Sequence, residues 1–478
     1  MERAQAEAIY EQGREAVVAV LLALSAQIAA QEVQIAKLAT RVAELERRLN
    51  RNSRNSSMPP SQDPPGAPER RRMPSSKRGQ GAQPGHPGRG RRLAPFEVID
   101  EFIDHWPQRC ACGHRFGEAE RCRVGKSACH QVAELPSIAV ILTEHRLHRL
   151  RCPDCGATTR AKLPPDVPRG AFGPRLQAAV VTLAVRNRIS RRDTTELVRE
   201  LFGTRISAGS IDAVVQRTGS ALEEPYEDLL CHIRAAPAVN VDETGWRLKG
   251  TRRTLWGALT ARAAVFRIAP DRHEREAQAL LGEQFCGIAC SDRWWAYNYL
   301  ASEQRQLCWA HLVRDFTAHS EGLGAQKEFG EACLKIAARL FAAWEECRED
   351  ADRTHLAERI GPLKEELRAL LEQAARKSAK TKYHRPFAKN LLKRWPALWT
   401  FASIPGIEPT NNQAERGLRG AVIYRKLSLG SQSEQGERAI ERLLSASVTC
   451  RLQKRSLFAY LSDVLAASIR GDPILSLA

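Results

Sequence analysis

The chain has 478 residues, with 73 Lys+Arg against 55 Asp+Glu, a formal net charge of +18 and 13 cysteines. This length has room for roughly two to four domains, and a clustered basic excess points to nucleic acid or another polyanion. The longest apolar stretch, residues 16–24, falls short of the ~20 residues of a membrane span, and its acidic and polar lead-in is unlike a signal peptide.

From the N-terminus, Leu21, Ile28, Ile35, Val42 and Leu49 recur every seventh residue. Leu24, Leu38 and Leu45 fill the matching second position, with Gln31 as the one polar break. This spacing predicts a coiled-coil helix over residues 1–50 that pairs two copies of the chain. Residues 51–95 then collapse into Pro, Ser, Gly and Arg, a composition too poor in apolar side chains to fold, so a disordered linker is expected. Its Arg70, Arg71, Arg72, Lys77 and Arg78 suit DNA phosphates.

A cytoplasmic, reducing compartment is expected, in which thiols serve metals and cores rather than disulfides. Cys110 and Cys112, then Cys152 and Cys155, make two cysteine pairs separated by strand-like runs at 138–142 and 145–150. Four thiolates satisfy a closed tetrahedral site, so residues 96–165 read as a zinc ribbon holding structural Zn2+. The first pair is one residue short of the usual knuckle, which leaves His105, His114 and Cys122 as alternative ligands. Residues 166–235 are helical by period. Within them, 190–202 and 207–219 are joined by a Gly-containing turn in the manner of a helix-turn-helix, with Ser207 or Ser210 as N-cap.

Residues 237–246, PAVNVDETGW, read as a buried strand that delivers Asp242 to its end before a turn at Thr244 and Gly245. Short strands at 254–260 and 264–268, a helix at 271–281 and a strand at 287–292 ending in Asp292 follow. That order predicts mixed α/β structure over 236–320 with an antiparallel meander first. Residues 321–405 are helical throughout, with a basic end, and 406–478 return to the same domain. There Glu415 sits in the first turn of a helix, where one reading is a capping box with Asn412.

Singly, each of the three acids has a dull explanation as a turn former or cap. Together they form a candidate divalent-metal site, because carboxylates ~4 Å apart repel by about 4 kcal/mol at an effective dielectric near 20 unless a cation sits between them. Magnesium or manganese prefers such oxygen ligands, and two ions per site would clamp both oxygens of a phosphate displacement.

The segments NVDETGWRLKG, TLWGALT, CSDRWWAY, QLCWAHLVRDF and TNNQAERGLRGAVIYRKLSLGSQSEQGE resemble the insertion sequence 66 family of DDE transposases. The heptads, the linker phrases NSSMPPSQD and GAQPGHPG, the cysteine region and the closing FAYLSDVL match in the same order. The resemblance implies a ribonuclease-H-like core with a helical insertion, and Asp242, Asp292 and Glu415 as its catalytic, metal-binding triad. It implies action on DNA, namely cleavage and joining of an element's terminal inverted repeats, with accessory proteins of the same element as possible partners. Cys308 and His311 resemble a Cys-x-x-His signature of several such enzymes. Arg416 and Arg419, with Arg425 and Lys426 further along, are the DNA-contact candidates beside Glu415. Arg293-Trp294-Trp295 stands where the family often has Gly-Tyr. The rival readings are a catalytically inactive zinc-containing DNA-binding regulator and another ribonuclease-H-like DNA nuclease.

Overall fold

The computed structural model describes residues 3–49, 93–136, 138–350 and 352–478. Arg70, Arg71, Arg72, Lys77 and Arg78, proposed for DNA contact, lie outside the described residues. Two compact units are distinguished: the first comprises Met1–Glu69, Arg146–Thr195 and Ser207–Ala478, the second Arg70–His145 and Glu196–Ile206.

At the N-terminus, α1 (Arg3–Glu11) precedes the long helix α2 (Arg14–Leu49). Leu21, Leu24, Ile28, Ile35, Leu38 and Val42 on α2 are all exposed in the single chain. The predicted stripe therefore exists as a surface left uncovered by the described residues. Arg14–Ala39 is also long and apolar enough, by length and composition alone, to cross a membrane.

The second unit is largely irregular, with 3-10 turns at Phe96–Val98 and Glu118–Glu120 and a stacked Phe96–Phe102 pair. The strand expected at 138–142 is not formed, and of that expected at 145–150 only Arg149 and Leu150 are strand. Instead β1 (Arg149–Arg151) and β2 (Thr158–Arg160) pair antiparallel around the Cys152–Cys155 turn. The tight turn at those cysteines brings its own flanks together, which local pairing rewards before any distant strand is found.

In the first unit, α3 (Pro174–Val181) runs into a π-helical turn at Thr182–Arg186. Then come α4 (Arg191–Phe202), whose residues from Glu196 onward belong to the second unit, and α5 (Ala208–Ala221) and α6 (Glu223–Ala235) of the first. Ser207 is the N-cap of α5, its hydroxyl accepting from the Ser210 amide. Gly203, at φ +65°, makes the turn that ends α4.

The central sheet holds β3 (Ala238–Leu248), β4 (Thr251–Leu259), β5 (Ala264–Ala269), β6 (Ile288–Ser291) and β7 (Arg305–Leu307), in the order β5-β4-β3-β6-β7. β3, β4 and β5 form the predicted antiparallel meander, whereas β3–β6 and β6–β7 are parallel. One correction concerns β3, which does not turn at Thr244 and Gly245. These residues pair with Leu255 and Thr254, and the chain reverses at Lys249 and Gly250, both with positive φ. A two-residue turn with positive φ at both positions matches strand twist, so the hairpin closes there rather than at the first glycine.

Helix α7 (Glu274–Leu281) links β5 to β6, and α8 (Trp309–Ser320) follows β7. Then α9 (Ala325–Cys347), α10 (Thr354–Ala375), α11 (Arg385–Lys393) and α12 (Thr400–Ser403) form the expected helical insertion. Trp309, Phe316, Phe329, Leu340, Leu367 and Phe401 belong to its buried apolar core, which extends to Leu307 of β7. The chain returns through α13 (Asn412–Ser428), α14 (Glu434–Leu452) and α15 (Leu457–Arg470).

Helix α14 solves an edge problem. β5 ends the sheet, so alternate amides would be unpaired. Ala264 donates to Thr449 Oγ1 (3.0 Å), Phe266 to Ser445 Oγ (2.9 Å), and Ile268 to Glu441. Two strand residues advance ~6.8 Å and four helical residues ~6 Å, so acceptors four apart on a helix stay in step with amides two apart on a strand. Burial pushes Glu441 up to about 7 from an ordinary 4.5, against the pull of Arg438.

Ser445→Ala should cost about 1–3 kcal/mol in urea unfolding, because it strands the buried Phe266 amide. An unchanged midpoint would refute the edge role. Glu441 also sets a pH slope. Between 4.5 and about 7 the native state keeps a proton that the unfolded chain has released, so stability falls as pH rises through that window. Glu441→Gln should flatten the slope, as read from melts at pH 5 and pH 8.

Candidate active site

Strand register does the first part of the assembly. In the parallel pairing Val239 faces Ala289 and Asn240 faces Cys290. Asp242 and Asp292 each lie two residues further on, so they stand side by side where the two strands part. Asp242 Oδ1 accepts from the Glu243 amide (2.9 Å) and Asp292 Oδ1 from the Trp294 amide (2.8 Å). Arg305, buried at the start of β7, donates to the Asp292 carbonyl and to Ser291 Oγ, both at 3.0 Å.

Glu415 arrives from α13, whose first turn is stitched to the sheet. The Asn411 side chain donates to the Val241 carbonyl (2.6 Å), and its amide to Cys308 Sγ (3.1 Å). Asn240 Nδ2 donates to Gln413 Oε1 (3.0 Å), and Gln413 Nε2 to the Thr260 carbonyl (2.5 Å). The expected capping box is absent, since the N-cap is Asn411 and its side chain makes no cap bond. It is committed to β3 instead. Gly417 lets the helix lie close, for a Cβ there would meet Leu259 Cδ2 at 2.2 Å. Glu415, 42% exposed, faces His311 Nδ1 and Arg314 Nη2, each at 3.8 Å.

The electrostatics are lopsided. Burial, then Glu243, Asp292 and Glu415, push the Asp242 carboxyl well above the usual range. Burial and Asp292 raise Glu243 as well, against Arg272. His311 is pushed down by burial and Arg314, against the pull of Asp292 and Glu415, and its buried Nδ1 has no hydrogen-bond partner among the described residues. The three predicted acids thus share one charged cluster. Three side chains on helix α8 and strand β3, His311, Arg314 and Glu243, complete it.

Glu243 was missed by sequence reasoning. Its side chain is 1% exposed, ion-paired with Arg272 and hydrogen-bonded by the Tyr297 hydroxyl (2.7 Å). A signal was present: Val239, Val241 and Glu243 share strand parity, so a carboxylate had to enter a buried face. Arg272 stacks over Trp294 (4.1 Å to the ring centroid), and Trp294 Nε1 donates to the Arg272 carbonyl (3.0 Å). The segment after Asp292 is thereby fastened to the Glu243 side of the sheet.

Of the remaining candidates, Arg416, Arg419 and Lys426 are exposed along α13. Arg425 is engaged internally, donating to the Gly245 carbonyl and to Thr244 Oγ1. Cys308 is buried as the N-cap of α8. Cys110 and Cys112 belong to the second unit and Cys152 and Cys155 to the first. Each pair forms a tight turn: Gly113 donates to the Cys110 carbonyl and Gly156 to the Cys152 carbonyl, both at 2.9 Å. Backbone hydrogen bonds from Cys112 lower the Cys110 thiol, and those from Cys155 and Asp154 lower Cys152. His114, an alternative ligand, pairs with Glu120 at 3.1 Å.

Residues 169–439 match the model of the Transposase IS66 family, and residues 4–92 match a family of unknown function. The chain is 24% identical over 416 residues to the uncharacterized protein y4hP of Sinorhizobium fredii (strain NBRC 101917 / NGR234), covering 78% of this chain and 72% of the relative. It is 26% identical over 305 residues to the uncharacterized protein y4jD of the same organism, covering 58% of each.

Removing Arg272 leaves the Glu243 charge buried beside Asp292. Arg272→Ala should destabilise the fold by about 2 kcal/mol, less than for a fully enclosed pair because Arg272 is 43% exposed. Adding Glu243→Gln to that variant should recover most of the loss. Additive losses in denaturant would contradict the pairing.

Proposed function

The chain belongs to the Transposase IS66 family, and from that premise we propose that it is a DNA transposase acting by divalent-metal-dependent phosphoryl transfer at Asp242, Asp292 and Glu415. The family is one of DNA-processing enzymes. The observation that carries the finer reading is the register that sets Asp242 beside Asp292, with Glu415 lowered onto them by α13. The strand order, a three-stranded antiparallel meander followed by two parallel strands, supports a ribonuclease-H-like core.

The donor set fits Mg2+ or Mn2+. It consists of hard carboxylate oxygens in excess over cations, and Asp242 is held high by its acidic neighbours. Bound there, a divalent ion would lower the pKa of a water and stabilise charge on a departing oxygen. Asp242 and Asp292 would hold it from the sheet, and Glu415 would close it from the helix. Arg305 and the Trp294 amide keep Asp292 in place. Neutral His311, facing Glu415, can take up a proton at Nδ1.

In the first step water attacks the phosphate at the element's end. The bond to the terminal 3′ oxygen breaks, and the water's proton is balanced by the one gained at that oxygen. The freed 3′ hydroxyl then attacks a target phosphate, displacing a target 3′ oxygen, with no covalent protein intermediate. Exposed Arg416, Arg419 and Lys426 would lie along the DNA backbone. The exposed α2 stripe would pair two copies, so that both terminal inverted repeats are held together. Cys110 with Cys112, and Cys152 with Cys155, would each offer thiolate ligands to structural zinc, a reading supported by the lowered thiol in each turn. The bacterial cytoplasm is the proposed location.

A marker flanked by the element's ends should move when the intact protein is supplied. It should move at least about 10³-fold less with Asp242→Asn, Asp292→Asn or Glu415→Gln, several kcal/mol of lost transition-state stabilisation. Undiminished movement would sink the triad. Specific binding without cleavage by the intact protein would favour the regulator, and junction cutting irrespective of end sequence would favour a general nuclease. A second readout needs no DNA. Without metal, Asp242→Asn should melt above the intact protein, because a crowded carboxylate is gone. Mg2+ or Mn2+ should raise the melting temperature of the intact chain only, by an amount worth about 2.7 kcal/mol at a hundredfold excess over Kd.

A further inference from the structure

The turn between α9 and α10 carries Cys347, Asp350 and His355, whose ligand atoms all lie within 4.8 Å of one another. Cys347 closes α9 and is buried, whereas Asp350 and His355 are exposed on the turn and on the first turn of α10. Cys347 Sγ is 3.6 Å from His355 Nδ1, and the same Nδ1 is 3.5 Å from Asp350 Oδ2.

That shared nitrogen is informative. In a nucleophilic relay the thiol and the carboxylate address opposite nitrogens of the ring, so that a proton can pass through it. Here both address Nδ1, which has a single proton or lone pair to offer. A relay is therefore ruled out, and the three atoms converge on one point.

Two of the three spacings match a tetrahedron's edges. With Zn–S ~2.3 Å and Zn–N or Zn–O ~2.05 Å, tetrahedral angles put sulfur ~3.6 Å from nitrogen and nitrogen ~3.4 Å from oxygen. We propose that Cys347, Asp350 and His355 form a second zinc site, with water as the fourth ligand on the exposed side. A buried thiol rules against magnesium and favours zinc or cobalt. Arg359, beside this set, is paired with Glu346 at 2.5 Å.

The turn so held is one wall of a cavity of about 530 Å³, which Arg348 and Arg353 line together with Asn412 and Arg416 of α13. An ion at this site would stiffen that wall beside the first turn of the helix that carries Glu415. The proposal is independent of the transposase reading, because its test measures no strand cleavage.

Full-length protein is stripped with a chelator and titrated with Co2+, following the thiolate-to-cobalt charge-transfer band and the number of ions bound. His355→Gln, at an exposed ring that folding does not need, should bind one ion per chain fewer than the intact protein. Cys347→Ser should lose the same ion and its share of the charge-transfer band. Cys152→Ser in the ribbon should remove a different ion and leave this one. Trypsin cleavage after Arg348 should slow when zinc is added to the intact chain but not to His355→Gln. Equal stoichiometry for the intact chain and both turn variants, or no ion bound by the intact chain, overturns the proposal.

Discussion

Most of the surroundings of the candidate site answer one electrostatic constraint. Asp242, Glu243, Asp292 and Glu415 are gathered where two parallel strands diverge, with the Glu243 side chain buried and Asp242 partly buried there. Negative charge cannot be concentrated out of water without opposing charge or hydrogen bonds. Arg272 and Tyr297 answer Glu243, Arg314 and His311 lie against Glu415, and Arg305 props the Asp292 backbone. Burial, then Glu243, Asp292 and Glu415, hold the Asp242 carboxyl well above the usual range, and no ion pair of Asp242 is formed among the described residues. The site is built so that one place in it is short of positive charge.

The same region shows how polar side chains, rather than caps or apolar contacts, set the approach of a helix to a sheet. Asn411 and Gln413 give up capping to bond the edges of β3 and the carbonyl of Thr260. At the far end of α13, Leu429 and Gly430 turn left-handed. Ser431 then exchanges backbone hydrogen bonds with Arg247 and Lys249 and accepts from Trp246 Nε1 (3.2 Å). Helix α13 is therefore tied to β3 at both ends, and Glu415 inherits the rigidity of that strand. On the opposite edge α14 replaces a missing strand with Thr449, Ser445 and Glu441. The α14 device sets a repeat of four on a helix against a repeat of two on a strand.

The elements that follow from periodicity were legible. Heptads predicted α2, alternation predicted β3 to β6, and the long helical run predicted the insertion between Asp292 and Glu415. Departures arose where local chemistry competed. The glycine at 245 looked like a turn, but the Lys249-Gly250 pair offered positive φ at both positions. The spacer before Cys152 looked like strands, but the cysteine turn paired its own flanks. Glu415 looked like part of a cap, but Asn411 found a better acceptor in Val241. The tryptophan that departs from the family pattern, Trp294, holds Asp292 through its amide and Arg272 through its ring.

By itself, the sequence determined which residues are candidates for chemistry and which segments favour helix or strand, because residue type and spacing are local properties. Family membership was legible for a related reason, since ordered motifs survive at low overall identity. Only the tertiary structure decided which of those residues meet. Asp242 and Asp292 are fifty positions apart and become neighbours through a parallel register that no local pattern encodes. Glu243 becomes a buried, compensated charge only because Arg272 and Tyr297 arrive on its face of the sheet. Cys347, Asp350 and His355, by contrast, lie within one turn between α9 and α10, where the turn geometry brings them together. The proximity of Asp242 to Asp292 depends on long-range packing, where many registers satisfy the same pattern and the summed free energy of the whole core selects one.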